Sequence, residues 1–437
     1  MALSLSTLPA YNLYFGDLHS HTSYSDGVGT PRYAYAFARD SAGIDVLAIT
    51  DHGELLDSLK WQDTKLQADS ITEPGRFVGI AGFEWTDWNY GHINVLGTQD
   101  FSSTFICPTL DSLYHWLANQ PDGIGQFNHT APWCFDTFRY RAIGDSGIAL
   151  CEMHDNLQSF CYHLALDSGW HVGMTAGQDN HWWNWGMGWQ MTGIWAESLT
   201  RSSILNALRK MRTYGTLDRN LAFRFTANDS EMGSTIANGD IPFWMAAYDP
   251  DSADAIRRME IITNNGVVLD SVIFPGDTHH VEWRTTTHTS SDERRYFYAK
   301  VTLNDTSVYA LSSPVWTEPD VGLEPGTRYR IVAPPPGAGR VLDVRPNPFR
   351  SLAVISTSEG AVGGHDAASC PGSRLTIFSA SGRAVRSWSI PHSALAIPHC
   401  FAWDGRDDSG RLLPAGCYFC TLNTGDKTAR TRINLSR

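Results

Sequence analysis

Six apolar segments between Tyr14 and His181 each run into a histidine or a carboxylate, and that recurrence restricts the fold more than any other property of the chain. The first is Tyr14–Phe15–Gly16–Asp17–Leu18, which leads into His19 and His21. On an extended chain residues i and i+2 face the same way, so these two imidazoles project to one side where the strand ends. Ser20, Thr22, Ser23, Ser25 and Gly27 make a polar turn able to fold Asp26 back toward them. Thr30 to Ile44 reads as a helix, with Thr30 as N-cap, Pro31 at the first helical position and Gly43 at the end. Asp45 to His52 is then a second buried strand with a polar end. Strand, helix and strand make a right-handed parallel unit whose ligands gather at the carboxyl ends, where His19, His21 and His52 fall.

The pattern repeats. Glu84 closes Arg76–Thr86, His129 ends a run from Gly123, Glu152 and His154 share one face of the next segment, and Asp179 and His181 share one face of the last. His92 lies inside the apolar run Gly91–Gly97, where a lone imidazole needs a partner. A barrel-like sheet would bring these ends into one cleft. About nine nitrogen and oxygen donors suffice for two or three metal ions at three to four protein ligands each, and imidazoles with carboxylates suit zinc, manganese or iron. Each residue alone has a plainer reading: surface histidines, a satisfied core histidine at His92, a turn carboxylate at Asp51. The functional reading of Asp51 is a group that orients an imidazole.

Bulk properties set the class. A chain of 437 residues is expected to hold two or three domains. No run of about 18 apolar residues suggests a membrane span. A net charge of −13 argues against a nucleic-acid scaffold as partner. Residues 1–15 carry no basic segment followed by an apolar core, so no signal peptide is visible. The eight cysteines fall into two groups, Cys107, Cys134, Cys151 and Cys161, then Cys370, Cys400, Cys417 and Cys420. Cys417 and Cys420 alone make a poor zinc site.

Tryptophan is abundant, with 16 in the chain. Trp85, Trp88, Trp133, Trp182, Trp183, Trp185 and Trp189 follow the candidate ligands closely, so several are expected at the cleft rim, where they would stack on an aryl, nucleobase or sugar ring of a small-molecule substrate. The others would cover the barrel mouth or pack inside. Arg139 and Arg141 follow His129 and could clamp a phosphate; solvated loop arginines are the simpler account. Ile204, Leu205, Leu208 and Met211 recur at helical spacing within Ser198 to Thr216, which predicts a covering helix.

HSHTSYSDG, ITDH, the Glu84 segment, the NHT segment and GQDNH resemble, in this order, the motif series of the PHP (polymerase and histidinol phosphatase) superfamily. The resemblance covers roughly the first half of the chain. It implies a distorted seven-stranded β/α barrel with a trinuclear centre of divalent ions (Zn, Mn or Fe). Carried over by motif, His19, His21, Glu84 and Asp179 hold one ion; Glu84 bridges to a second held by His92 and His129; Asp26, His52 and His181 hold a third. Glu152 and His154 fall in the surrounding layer or face substrate.

From about 217 the pattern changes to short alternating runs, with Asn264–Asn265–Gly266 as a hairpin turn, which implies an antiparallel sandwich. His279, His280 and His288 read as surface histidines. Ala333–Gly339 is a stiff linker. Beyond it, RPNPF (345–349), 375–388 and 403–419 resemble the immunoglobulin-like C-terminal domain of hook-capping proteins and type IX sorting tails. Asp404, Asp407 and Asp408 form a hairpin turn by default and a calcium site as the lesser alternative. That resemblance implies export machinery or a cell surface as partner, a secreted or surface-held location with a trimmed leader, and disulfides among the last four cysteines.

The expected architecture is therefore multidomain, an α/β distorted (β/α)7 barrel at 1–216 followed by two all-β domains, a sandwich at 217–330 and an Ig-like domain at 340–437. The expected function is hydrolysis of phosphate mono- or diesters by a metal-bridging hydroxide, with Asp51, His154, Arg139 and Arg141 as catalytic candidates. The rivals are a metal-dependent carboxylester, carbamate or amide hydrolase, and a metal-containing surface binding protein without catalysis.

Overall fold

The computed structural model describes residues 11–154, 156–290 and 294–318, then 342–345, 353–357, 373–379, 383–390, 400–403, 405–409, 411–423 and 428–435. The chain forms two compact units, Met1–Gly322 and Leu323–Arg437.

Nine strands lead the first unit: β1 Asn12–Asp17, β2 Val46–Ile49, β3 Val78–Asp87, β4 Gly91–Leu96, β5 Ile124–Phe127, β6 Ile148–Met153, β7 Gly173–Ala176, β8 Met191–Ala196 and β9 Thr213–Thr216. They lie side by side in the order β9-β8-β1-β2-β3-β4-β5-β6-β7. β2, β5, β7 and β8 are buried at every position, as befits strands covered on both faces. At the far end of the path β7 comes back against β8: the Thr192 hydroxyl donates to Ala176 O at 2.8 Å and accepts from Ala176 N at 3.0 Å.

The sheet is mixed, which corrects the expectation of uniform βα repeats. β1, β2 and β3 run parallel, as do β5, β6 and β7. β3/β4, β4/β5, β1/β8 and β8/β9 are antiparallel. The reason lies in the connections. Only Trp88, Asn89 and Tyr90 separate β3 from β4, and a parallel crossover needs a dozen residues or more. Glu84 therefore sits within a hairpin strand that runs on to Asp87, and does not close it.

The first helix forms as its caps dictate. The Thr30 hydroxyl accepts from Tyr33 N, Pro31 opens Pro31–Phe37, a π turn continues over Ala38–Ala42, and Gly43 stops it at φ 69°. The covering helix predicted within 198–216 forms but stops short of Met211. Thr200 caps Arg201–Arg209, whose Ile204, Ala207 and Leu208 pack on Leu18, Val46 and Ile80. Met211 then turns left-handed at φ 52°, and Thr213–Thr216 becomes β9. Among the described residues no helix is long and apolar enough to cross a membrane.

Residues 222–318 are almost wholly β. Ala222–Ala227, Asp240–Tyr248 and His280–His288 form an antiparallel sheet with Ser230–Glu231. The facing strands, Ile256–Thr263, Val267–Ile273, Arg295–Leu303, Tyr309–Ser312 and Val315–Glu318, continue the first sheet, because Tyr309–Ser312 pairs with β9. Phe223, Phe225, Phe243 and Met245 pack against Met259, Ile261, Phe297 and Val301 between the two layers. Asn265 turns the 256–273 hairpin at φ 61°. His279 pairs with Asp277 and His288 with Asp240 near the surface, and His280 is exposed.

In the second unit, Leu342–Arg345, Ala353–Thr357 and Cys400–Trp403 form one antiparallel sheet. Ala384–Ile390, Ser373–Ser379, Gly416–Asn423 and Thr428–Leu435 form another, and Ile355, Leu375, Ile377, Trp403, Tyr418 and Ile433 share a core. Asp407 accepts from Ser409 N and Arg411 N, closing a turn. Cys417 and Cys420 are free thiols. The linker Ala333–Gly339, Pro346–Phe349 of RPNPF, Cys370 and Asp404 lie outside the described residues.

Candidate metal centre

The segment after β1 leaves the sheet at Asp17, and its backbone bonds to the segment after β7: His21 N donates to Asn180 O at 2.8 Å and Asn180 N to His19 O at 3.3 Å. Asp17 is buried beneath this crossing. Its Oδ1 accepts from His19 N and Gln178 N, and burial raises its pKa to about 7. These bonds set His19, His21 and Asp179 edge to edge. Asp179 holds φ 48° and His129 φ 26°, a region that costs non-glycine residues on the order of 1 kcal/mol or more, so both are held there by their surroundings.

The structure brings all nine ligand candidates together. Glu84 is central: its Oε1 lies 3.2 Å from His19 Nε2, 3.3 Å from His92 Nδ1 and 3.5 Å from His129 Nε2, while Oε2 lies 2.9 Å from His52 Nδ1 and 3.7 Å from His21 Nε2. Asp179 Oδ1 lies 3.2 Å from His19 Nε2 and 3.1 Å from His21 Nε2. Asp26 Oδ1 lies 3.4 Å from His52 Nε2 and 3.2 Å from His181 Nε2. Three donor groups result: His21, Asp26, His52 and His181; His19, Glu84 and His129; and His19, His21 and Asp179. His21 thus joins the Asp26 group as well as its own, and His92 reaches the centre through Glu84.

The chemistry of this donor set fits divalent cations. Both Glu152 oxygens lie 3.1 Å from His19 Nδ1, so that nitrogen carries the proton and Nε2 keeps its lone pair. Nε2 then faces Glu84 Oε1, Asp179 Oδ1 and His21 Nε2, each at 3.2 Å. The two carboxylate oxygens are acceptors, and one proton cannot satisfy both. The electrostatics point the same way. Burial opposes ionisation of Glu84, but His19, His129 and His52 hold its carboxyl well below the carboxylate range. Asp179 is likewise lowered against burial, by His19 and His21. Burial lowers His21, whereas neighbouring carboxylates outweigh burial and raise His19, His52 and His129.

The supporting residues divide differently from expectation. Asp51 accepts from Thr22 N, the Thr22 hydroxyl and the Ser25 hydroxyl at 2.6–2.7 Å, bracing the turn that carries Asp26. Ser25 Oγ lies 3.3 Å from His21 Nδ1, so Asp51 acts on an imidazole through that hydroxyl. His154 donates from Nδ1 to Gly177 O. Arg141 pairs with Asp111 and Asp136, Arg139 lies by Asp136 at 3.9 Å, and among the described residues neither bonds any of the nine. Sequence reasoning passed over Asp17 and Asn128, whose Nδ2 donates to Glu84 Oε1 at 2.7 Å.

Trp85 and Trp185 are core residues. Trp88, Trp133, Trp182, Trp183 and Trp189 are exposed. Trp88 stands 6.1 Å from the His92 ring at a cleft of about 430 Å³ lined also by Asp26, His52, Leu55, Thr86 and Thr104. Trp183 packs edge-on against Tyr33 and Trp185. Arg219 holds this tryptophan-rich loop by donating to Gly186 O and Gly188 O.

No family model matches the chain, and no curated protein does. Among solved structures it is similar to a two-domain protein containing a predicted PHP-like metal-dependent phosphoesterase from Bacteroides vulgatus, at 15% identity over 70% of this chain and 97% of that one, with a TM-score of 0.42. It is also similar to dimeric latent PorU from Porphyromonas gingivalis, at 14% identity over 49% of this chain and 20% of that one, with a TM-score of 0.18.

Proposed function

We propose that the chain is a metal-dependent phosphoesterase of PHP type, built on a distorted barrel, that hydrolyses phosphate mono- or diesters. The observation that carries this reading is the convergence of eight imidazoles and carboxylates in three overlapping groups, with His92 beside Glu84 as the ninth. The motif order of the sequence supports it. His19, His21, Glu84 and Asp179, then Glu84, His92 and His129, then Asp26, His52 and His181 would hold three ions. When bound, such ions supply Lewis acidity, polarising a phosphoryl oxygen and making water a nucleophile near neutral pH. The chain's own residues do the positioning. Glu152 keeps the His19 proton on Nδ1, Asn128 fixes the rotation of Glu84, and Asp51 locks the Asp26 turn. Trp88 offers an apolar face for a ring on the substrate.

In this reading 217–330 is an accessory domain, and 340–437 attaches or sorts an exported protein at the cell surface. A second hydrolase reading, on carboxylesters, carbamates or amides, draws on one observation: Arg139 and Arg141 are held by Asp111 and Asp136, away from the nine ligands.

The test is metal content of the purified protein, followed by turnover of p-nitrophenyl phosphate, bis-p-nitrophenyl phosphate and p-nitrophenyl acetate. We expect at least two divalent ions per chain, and phosphate-ester turnover that falls at least about 100-fold in His21→Ala, with lower metal content in that variant. Turnover of acetate alone selects the second reading. Metal without turnover on any of the three overturns both.

A further inference from the structure

We propose that the cleft where β1 and β9 begin is a phosphate site, separate from the metal centre, with the Arg212 guanidinium at its core and Lys210, Ser230, Ser234 and Asn206 around it. Arg212 is 8% exposed, yet its Nε and Nη2 are both buried with no hydrogen-bond partner. Among the described residues no carboxylate lies within ion-pair distance of it. A guanidinium taken out of water needs a counter-charge, or acceptors for its N–H groups, to be held there.

The chain's own groups near Arg212 are engaged elsewhere. The Tyr11 ring lies 4.3 Å from the guanidinium carbon, which attracts the cation and fixes its plane but leaves the N–H edge open. Asn206 O, Ala207 O and Leu208 O, at the end of the helix Arg201–Arg209, accept from Lys210 N, Arg212 N and Met211 N. Glu231 lines the same cleft but is paired with Arg224. Asp229, also in the lining, is exposed on the neighbouring turn. Residues 1–10, which precede Tyr11, contain no aspartate or glutamate.

What fits is an oxyanion. Arg212 lines a cleft of about 360 Å³ together with Lys210, Ser230, Ser234 and Asn206. Nε and Nη2 form one edge of the guanidinium, whose two N–H groups match two oxygens of a carboxylate or phosphate. Lys210 is exposed at the rim and adds a mobile positive charge, while two hydroxyls and an amide supply further donors. A carboxylate would spend both its oxygens on Arg212. A phosphate keeps oxygens for the lysine and the hydroxyls, which selects a phosphate group, free or carried on a small organic molecule. Trp195 N donates to Arg212 O at 2.9 Å, and Trp195 pairs with Leu13, so Arg212 lies where β1 begins, whereas His19 follows its end. Six residues of strand put roughly 20 Å between the two sites. A bound phosphate would tie Tyr11 and the helix end to the 230–234 segment.

The test uses the full chain with its metals bound and does not depend on turnover. Thermal unfolding is followed in inorganic phosphate, methyl phosphate, acetate and chloride at matched ionic strength, for wild type and Arg212→Met, each with and without His21→Ala to separate phosphate held at the metal centre. We expect inorganic phosphate to raise the wild-type midpoint by about 2 °C or more over chloride, and that gain to shrink by about 2 °C or more in Arg212→Met in both backgrounds. An equal gain from methyl phosphate assigns the site to phosphate esters as well, and none assigns it to the free ion. Equilibrium dialysis with radiolabelled phosphate should find one ion fewer in Arg212→Met. Lys210→Ala, at an exposed position, should weaken that ion's binding about 5-fold or more, and it carries the test if Arg212→Met does not fold. A gain from acetate equal to that from phosphate, no gain over chloride, or phosphate binding unchanged in both Arg212→Met and Lys210→Ala would overturn the proposal.

Discussion

Glu152 touches two candidate ligands at once, with both oxygens on His19 Nδ1 and Oε2 accepting from His129 N. Removing it frees the His19 tautomer and loosens the His129 backbone. Glu152→Ala should lower metal affinity about 10–100-fold in a chelator competition titration, and Glu152→Gln, which retains an acceptor, should recover part of it. An unchanged affinity would show that Glu152 does not position the ligands. At this scale much of the centre was legible. His19/His21 and Asp179/His181 announce themselves by i, i+2 spacing at the ends of apolar runs. Asp17 and Asn128 do not. Asp17 acquires its role only because β1 and the 177–179 loop cross, a long-range contact that no local pattern encodes. Asn128 adjoins a ligand, and its amide reads like any loop asparagine until Glu84 is placed opposite it.

Elements were legible where local chemistry decides them. The Thr30–Pro31 start, the Gly43 stop and the Asn264–Gly266 hairpin are each set by backbone preferences within a few residues. Strand direction was harder. β3 and β4 are as apolar as their neighbours, and only the brevity of 88–90 shows that they must be antiparallel. The helix Arg201–Arg209 was read too long because Met211 keeps its spacing while leaving the helix. What that helix contributes can be measured. Leu208 is fully buried against the sheet, so Leu208→Ala should lower unfolding free energy by about 2–5 kcal/mol in a denaturant titration, with metal content unchanged.

For the molecule as a whole, pH reports on burial away from the metal centre. Burial pushes the His163 imidazole from 6.5 down to about 4, beside Tyr298. Between those values the unfolded chain binds a proton that the folded one refuses. His163 therefore costs nothing above pH 6.5, and stability falls as pH drops from 6.5 toward 4, by on the order of 2–3 kcal/mol. His163→Asn should flatten that part of a stability–pH profile measured by denaturant titration; an unaltered slope would show that the imidazole is not the responsible group. Sequence pattern divided the chain near 217 because the run lengths change there, yet β9 pairs with Tyr309–Ser312 and the sheet passes through that boundary unbroken. A gene fragment cut at 216 would bare the outer rim of β9, a row of open amides and carbonyls primed to recruit another chain. The smallest piece worth expressing ends after 318, and any shuffling of modules between related proteins must carry the α/β portion and its β companion as a single inheritance.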